Sequence, residues 1–224
     1  MLTLYTGTPG SGKSYHATER IDIWLRQGKN VISTYPIKVN QHHKGIFTFV
    51  PLLSISVDYL LQFFKDHHKP NKEDQTLVVI DECHIIFNSR EFNNKARAKW
   101  LQFLALSRHY GYDFILITQN DRAIDRQIRG LVEYNIKHRN LAGFGLKGWL
   151  LIFVLHKKFV AIKIWYVNNE KCTQEFFNIR KRVTRLYDTF AMFDDYDESL
   201  PVPEAVKIMS PAEFNAQREK NEGA

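Results

Sequence analysis

Gly7-Thr8-Pro9-Gly10-Ser11-Gly12-Lys13-Ser14 stands almost at the start of the chain and satisfies every fixed position of the pattern G-x-x-x-x-G-K-[ST]. Each position has a physical task. Gly7, Gly10 and Gly12 permit tight backbone turns that aim successive N–H groups at one phosphate. Lys13 brings a positive charge to the β- and γ-phosphates, and the Ser14 hydroxyl suits Mg²⁺. The flanks agree with this reading. Leu2-Thr3-Leu4-Tyr5 predicts a short buried strand, and residues 14–26 predict a helix whose N-terminus carries a partial positive charge. Thr8, Pro9, Ser11 and Tyr15 complete the stretch expected to surround the nucleotide.

Leu77-Val78-Val79-Ile80-Asp81-Glu82 is the second strong signal. Four apolar residues in a row predict a strand buried on both faces, and two carboxylates at its C-terminal end have no packing reason to be there. Ligands sit at that end of parallel α/β sheets. Asp81 is placed to hold Mg²⁺, directly or through water, and Glu82 to orient and activate an attacking water. Phe114-Ile115-Leu116-Ile117 predicts another buried strand, ending in Thr118-Gln119-Asn120. Gln119 is therefore a candidate γ-phosphate sensor, and its competing reading is the N-cap region of the next helix.

Other elements follow from periodicity and capping signals. Residues 30–34 and 45–50 read as strands, and Ser56 caps a helix over 57–65. Asn93 or Asn94 starts a helix reaching about 108, with Trp100, Leu101, Phe103 and Leu104 on its buried side. A helix over 122–130 would align Arg122, Arg126 and Arg129 in one stripe. After Leu131 the pattern turns to β: 132–136 alternates, and 150–155 with 159–167 read as a hairpin turning at His156-Lys157-Lys158. Arg180, Lys181, Arg182 and Arg185 form the densest basic cluster. His42-His43 and His67-His68 read as exposed loop residues rather than metal ligands, because adjacent residues do not share a face.

The composition supports one α/β domain with a tail: 224 residues, 44% of them hydrophobic. A formal net charge of +7 favours nucleic acid or an anionic membrane surface as partner. Two cysteines, Cys83 and Cys172, exclude a disulfide scaffold and a cysteine metal site, which points to a reducing compartment. The N-terminus enters the phosphate-loop strand at once, unlike a signal peptide. The longest apolar run, Trp149 through Leu155, is cut by His156-Lys157-Lys158 and is far short of the ~20 residues a spanning helix needs.

The order GTPGSGKS (7–14), LVVIDE (77–82) and SRHYGYDFILITQN (107–120) resembles the Zot (zonula occludens toxin) family, the assembly ATPases of filamentous phages. The likeness extends over about residues 1–190 and includes Asn88-Ser89-Arg90, the segment from Ile124-Asp125 to Val132-Glu133, and Leu186-Tyr187-Asp188-Thr189. It implies an α/β P-loop NTPase fold of the additional-strand, FtsK/HerA-like type, with a mainly parallel central sheet flanked by helices. The sequence adds the expectation of a C-terminal β-hairpin region, an ATPase domain over 1–193 and a partly flexible tail over 194–224. The resemblance also implies ATP-driven extrusion of single-stranded phage DNA while coat protein is assembled at the inner membrane. The corresponding expectations are a homo-oligomer, phage coat and membrane assembly proteins as partners, and a cytoplasmic site peripheral to that membrane. Relatives usually carry a transmembrane helix after the ATPase domain, and this chain ends without one.

Two other functions share these motifs: an ATP-gated interaction module with slow turnover, and a small-molecule kinase. Against the kinase, Glu82 directly follows Asp81 and Gln119 ends the next strand, a layout for activating water. A transition-state arginine is expected from a neighbouring subunit. Chain direction puts Arg108 at the far end of the sheet, and Arg90 and Arg122 on the nucleotide side. Arg90 is the favoured of the two because no nearby acid of its own helix competes for it.

Overall fold

The structure, a computed structural model, describes residues 1–88, 94–187 and 208–209. Its frame is a sheet whose strands stand in the order β8 (Glu170–Phe177), β7 (Phe159–Trp165), β6 (Tyr134–Asn140), β1 (Leu2–Thr6), β5 (Tyr112–Ile117), β4 (Thr76–Ile80), β2 (Asn30–Ser33), β3 (Phe47–Phe49) and β9 (Ile208–Met209). The central strands are β1, β5, β4 and β2, all parallel. Thus β5 stands between the phosphate-loop strand and the acidic strand, as an additional-strand fold requires. On one side β3 and β9 extend the parallel array. On the other, β6 is parallel to β1, and β7 and β8 form an antiparallel hairpin.

Every residue of β1 and β4 is buried, because helices cover both faces of the sheet. Alternation assigns each side chain to a layer. Val78 and Ile80 join Leu2, Leu4, Phe114 and Leu116 beneath α2 (Val57–His67) and α3 (Asn94–Leu106), where Leu60, Phe63, Trp100 and Phe103 complete the packing. Leu77 and Val79 face the other way with Tyr5, Ile115 and Ile117, against Ala17, Ile21 and Leu25 of α1 (Lys13–Arg26). The Ser56 hydroxyl caps α2 by accepting from Tyr59 N–H at 3.2 Å, as the sequence predicts.

Several expectations are corrected. Residues 150–155 are not a hairpin arm: they belong to α5 (Gly145–Leu155), and the hairpin is β7 with β8. The run is rich in leucine, a strong helix former, and His156 in the left-handed region (φ 50) ends it. The helix expected over 122–130 is broken. Asp121–Ala123 is a 3-10 turn, Ile124 is extended and bridges to Asn88, and α4 (Arg126–Gly130) restarts with Asp125 as its N-cap. Arg122 therefore shares no helical stripe with Arg126 and Arg129.

His43 is fully buried rather than exposed, and its Nε2 lies 3.0 Å from Asp22 Oδ1. His68 is partly buried between Thr76 and the Tyr110 carbonyl. The basic cluster is partly spent on structure. Arg182, on the short helix α6 (Lys181–Thr184), donates to Asp22 Oδ2 at 2.6 Å, and Arg180 faces Glu19 at 4.0 Å. Asp22 has no exposed side-chain surface; burial pushes its carboxyl up, but His43, Arg26 and Arg182 together outweigh that and hold it below the usual range. Ile208–Met209, within the segment read as tail, pairs with the edge of the sheet. Ser89, Arg90, Asp188, Thr189 and the helix expected after Ser210 lie outside the described residues.

Beneath the phosphate loop, His16 Nδ1 and His138 Nε2 meet at 2.8 Å, one ring donating to the other, with Tyr5 and Phe177 packed around them. Burial lowers both pKa values, His16 to about 4 with help from the Arg20 charge, and His138 to about 3 with help from His16. An unfolded histidine titrates near ~6.5. As pH falls below that value the unfolded chain takes up protons that the folded chain refuses, so stability drains away. The slope approaches ~1.4 kcal/mol per pH unit for each histidine until the folded values are reached. Calorimetric Tm should therefore drop steadily between pH 7 and pH 5; a flat Tm over that interval would show that the pair is not buried neutral.

Candidate active site

Because β1, β4, β5 and β6 are parallel, their C-terminal ends open on one edge of the sheet. The phosphate loop leaves β1 there, Asp81 and Glu82 follow β4, and Gln119 lies two residues beyond β5. Gly12, with φ 91, turns the loop into α1, whose first residue is Lys13. The Lys13 ammonium donates to the Gly7 carbonyl at 2.8 Å and the Thr8 carbonyl at 3.2 Å, so it spans the loop from inside. Ser14 Oγ donates to Asp81 Oδ2 at 3.0 Å. Asp81 is fixed in turn: its N–H donates to Thr34 Oγ1, and its Oδ1 accepts from Glu82 N–H, each at 2.8 Å.

The electrostatics are those of a buried cation beside two acids. Burial pushes Lys13 down, opposed by the charges of Asp81 and Glu82. Burial pushes the Asp81 carboxyl up, opposed by the hydrogen bonds from Glu82 N–H and Ser14. Glu82 sits at φ 47, a left-handed backbone unusual for a non-glycine residue and typical of sites where a side chain is re-aimed at some cost in strain. Its Oε2 lies 3.2 Å from Nδ1 of His84.

The donor set fits a hard divalent cation, since a hydroxyl and a carboxylate already converge at Ser14 and Asp81. It also fits a phosphate: Ser11 Oγ, inside the loop, is buried with no hydrogen-bond partner among the described residues. Beside the loop a cavity of about 690 Å³ is walled by Gly7, Thr8, Gln119, Asn120, Lys137 and Arg139. Asn120, not Gln119, caps the following turn by accepting from Arg122 N–H, which leaves the exposed Gln119 on the cavity wall.

Arg122 is exposed next to that wall, whereas Arg108 sits at the opposite end of the sheet, 3.6 Å from Glu73. The Tyr15 side chain is turned away, its ring stacked on Phe177 and its hydroxyl accepting from Arg180 N–H. Tyr15 thus has only its backbone to offer a nucleotide. The alternating pattern ends at 136, so it carries no signal for Lys137 and Arg139, which the longer β6 brings to the loop.

The family described as Zonular occludens toxin (Zot) matches residues 1–192. The chain belongs to that family. This Zot-family chain is 29% identical over 143 residues to the Gene 1 protein of Escherichia phage If1, an alignment covering 61% of the chain and 40% of that relative. It therefore spans about two fifths of the length of the curated relative it matches. The N-terminal domain of zonular occludens toxin from Neisseria meningitidis superposes with a TM-score of 0.52 at 17% identity, covering 84% of this chain and 98% of that one. The sulfate complex of the genome packaging NTPase B204 from Sulfolobus turreted icosahedral virus 2 gives 0.50 at 14% identity, covering 80% and 96%. At these identities the two likenesses concern the fold. It is an α/β P-loop NTPase fold.

Gly7 is the tightest point of the site. A Cβ there would stand 2.3 Å from the carbonyl oxygen of His138, and the backbone has φ +147. Gly7→Ala should therefore shift the loop against β6, lowering stability by about 1–3 kcal/mol and weakening nucleotide binding. Denaturant unfolding and nucleotide titration measure both, and an alanine variant equal to wild type in both would contradict the close approach.

Proposed function

We propose that this chain is a Mg²⁺-dependent ATPase acting as a homo-oligomer in the assembly and export of filamentous phage, extruding single-stranded DNA at the inner membrane. The observation that carries the reading is the Ser14–Asp81 hydrogen bond, which joins the phosphate loop to the acidic strand with Glu82 next in sequence. Family membership and a relative encoded by a filamentous phage support the assembly role. No helix among the described residues is long and apolar enough to cross a membrane, so contact with the assembly site falls to a partner, a further segment or the surface of this domain.

In this reading the loop N–H groups and Lys13 hold and neutralise the β- and γ-phosphates. Ser14 and Asp81 would hold Mg²⁺, which when bound supplies charge neutralisation at the phosphates. Glu82 accepts the proton of the attacking water, and Gln119 reports the γ-phosphate from the cavity wall. Lys13→Ala should weaken ATP binding. Glu82→Gln should still bind ATP and lose turnover by about 10²–10⁴-fold, the usual share of a positioned base. Phosphate release without any added acceptor is the assay; wild-type turnover in Glu82→Gln would remove Glu82 from the mechanism.

The same proposal assigns a trans arginine, Arg90 or Arg122, whose contribution would be about 10³–10⁵ in rate. Mixing inactive Lys13→Ala protein with inactive Arg122→Ala or Arg90→Ala protein should restore part of the activity in one of the two mixtures. Co-assembly with both mixtures dead would show that the arginine does not act in trans.

A further inference from the structure

Helix α5 carries seven of the exposed large apolar side chains among the described residues. Trp149, Leu150 and Phe153 are 63%, 64% and 75% exposed, and Leu146, Leu151 and Val154 are exposed with them. At 3.6 residues per turn these six positions spread over roughly 200° of the helix circumference. A helix lying in a protein groove needs a stripe of only ~100°, and a helix apolar nearly all round belongs in a core or in lipid. The helix spans ~16 Å, about half of the ~30 Å hydrocarbon thickness, so it can enter one leaflet but not cross.

Charge identifies the surface it fits. From 134 to 169 the chain has no Asp or Glu, while Lys137, Arg139, Lys147, Lys157 and Lys158 fall in that stretch around α5. His156, Lys157 and Lys158 follow directly on the last turn of α5. A cavity of about 730 Å³ against the helix is lined by Ile152, Phe153, His156, Lys158, Asn178 and Ile179, with no acid among its walls. Apolar side chains, a tryptophan and adjoining lysines together are the composition that anionic lipid headgroups attract.

We propose that α5 buries itself in the surface of an anionic lipid bilayer, with Lys157 and Lys158 against the lipid phosphates. The contact lies on the nucleotide edge of the sheet, since Phe144, which leads into α5, also walls the cavity beside Gly7 and Thr8. It requires no transmembrane helix and is independent of whether ATP is hydrolysed.

The test is cell-free synthesis of the full chain with vesicles of phosphatidylglycerol and phosphatidylethanolamine, or of phosphatidylcholine alone, followed by flotation. Wild type should float with the anionic vesicles at least tenfold more than with the neutral ones. The Leu150→Glu/Phe153→Glu protein should lose flotation while still binding a fluorescent ATP analogue, which shows it folded. Lys157→Glu/Lys158→Glu should weaken flotation by about fivefold or more per lysine. Three results overturn the proposal: no flotation of wild type, equal flotation of the Leu150→Glu/Phe153→Glu protein, or a wild-type oligomer that ignores vesicles and becomes monomeric in that variant. The last would make a second copy of the chain the occupant of α5.

Discussion

Ser14 and Asp81 meet at 3.0 Å although they belong to elements that are not neighbours in the sheet. The loop leaves β1, the carboxylate follows β4, and β5 lies between them. Strands are spaced ~4.8 Å apart, so the gap to be crossed is ~10 Å. The crossing is made by α1. It begins at Lys13, immediately after the turn at Gly12, and packs over β5, β4 and β2, so that its first turn delivers Ser14 above the end of β4. The close approach of Gly7 to His138 and the seat of α1 both have to be right for that one contact to form.

The rest of the molecule holds α1 in that seat. Ala17, Ile21 and Leu25 bury its inner face on the sheet, and His16 ties its first turns to β6. Asp22 then gathers His43, Arg26 and Arg182, so the loop after β2 and the segment after β8 both close on the same helix. Losing one partner from such a buried carboxylate is far more damaging than an exposed ion pair, because the remaining charge is stranded away from water. The basic side chain of Arg182, legible in sequence only as part of a cationic patch, is thereby explained first as a part of this clamp.

The phosphate loop and the acid-tipped strand were legible because their chemistry demands fixed residue types at consecutive positions, and β5 because four apolar residues before Gln119 have only one use in such a sheet. Three features were not. The run 150–155 is short, and an apolar run of that length suits a buried strand or a helix equally; only the placement of Gly145 and His156 around it decides. The break in 122–130 comes from a bridge between Ile124 and Asn88, a contact over 36 positions that no local pattern contains. Likewise the His42-His43 pair says nothing of burial, because the environment of His43 is set by Asp22 on another element. The cations at Lys137 and Arg139 have a simpler reason: β6 continues past its apolar alternation, which ends at Ile136.

The central claim, that the Ser14–Asp81 pair is one cation-binding unit joining loop and strand, is tested most directly by thermal unfolding with a non-hydrolysable ATP analogue, with and without Mg²⁺. A ligand that binds the folded state raises Tm by an amount that grows with its concentration relative to its Kd. Wild type should gain a first increment from the analogue and a second when Mg²⁺ is added. Asp81→Asn should keep the first and lose the second. If Asp81→Asn retains the full Mg²⁺ increment, Asp81 does not hold the cation and the account of the site is wrong.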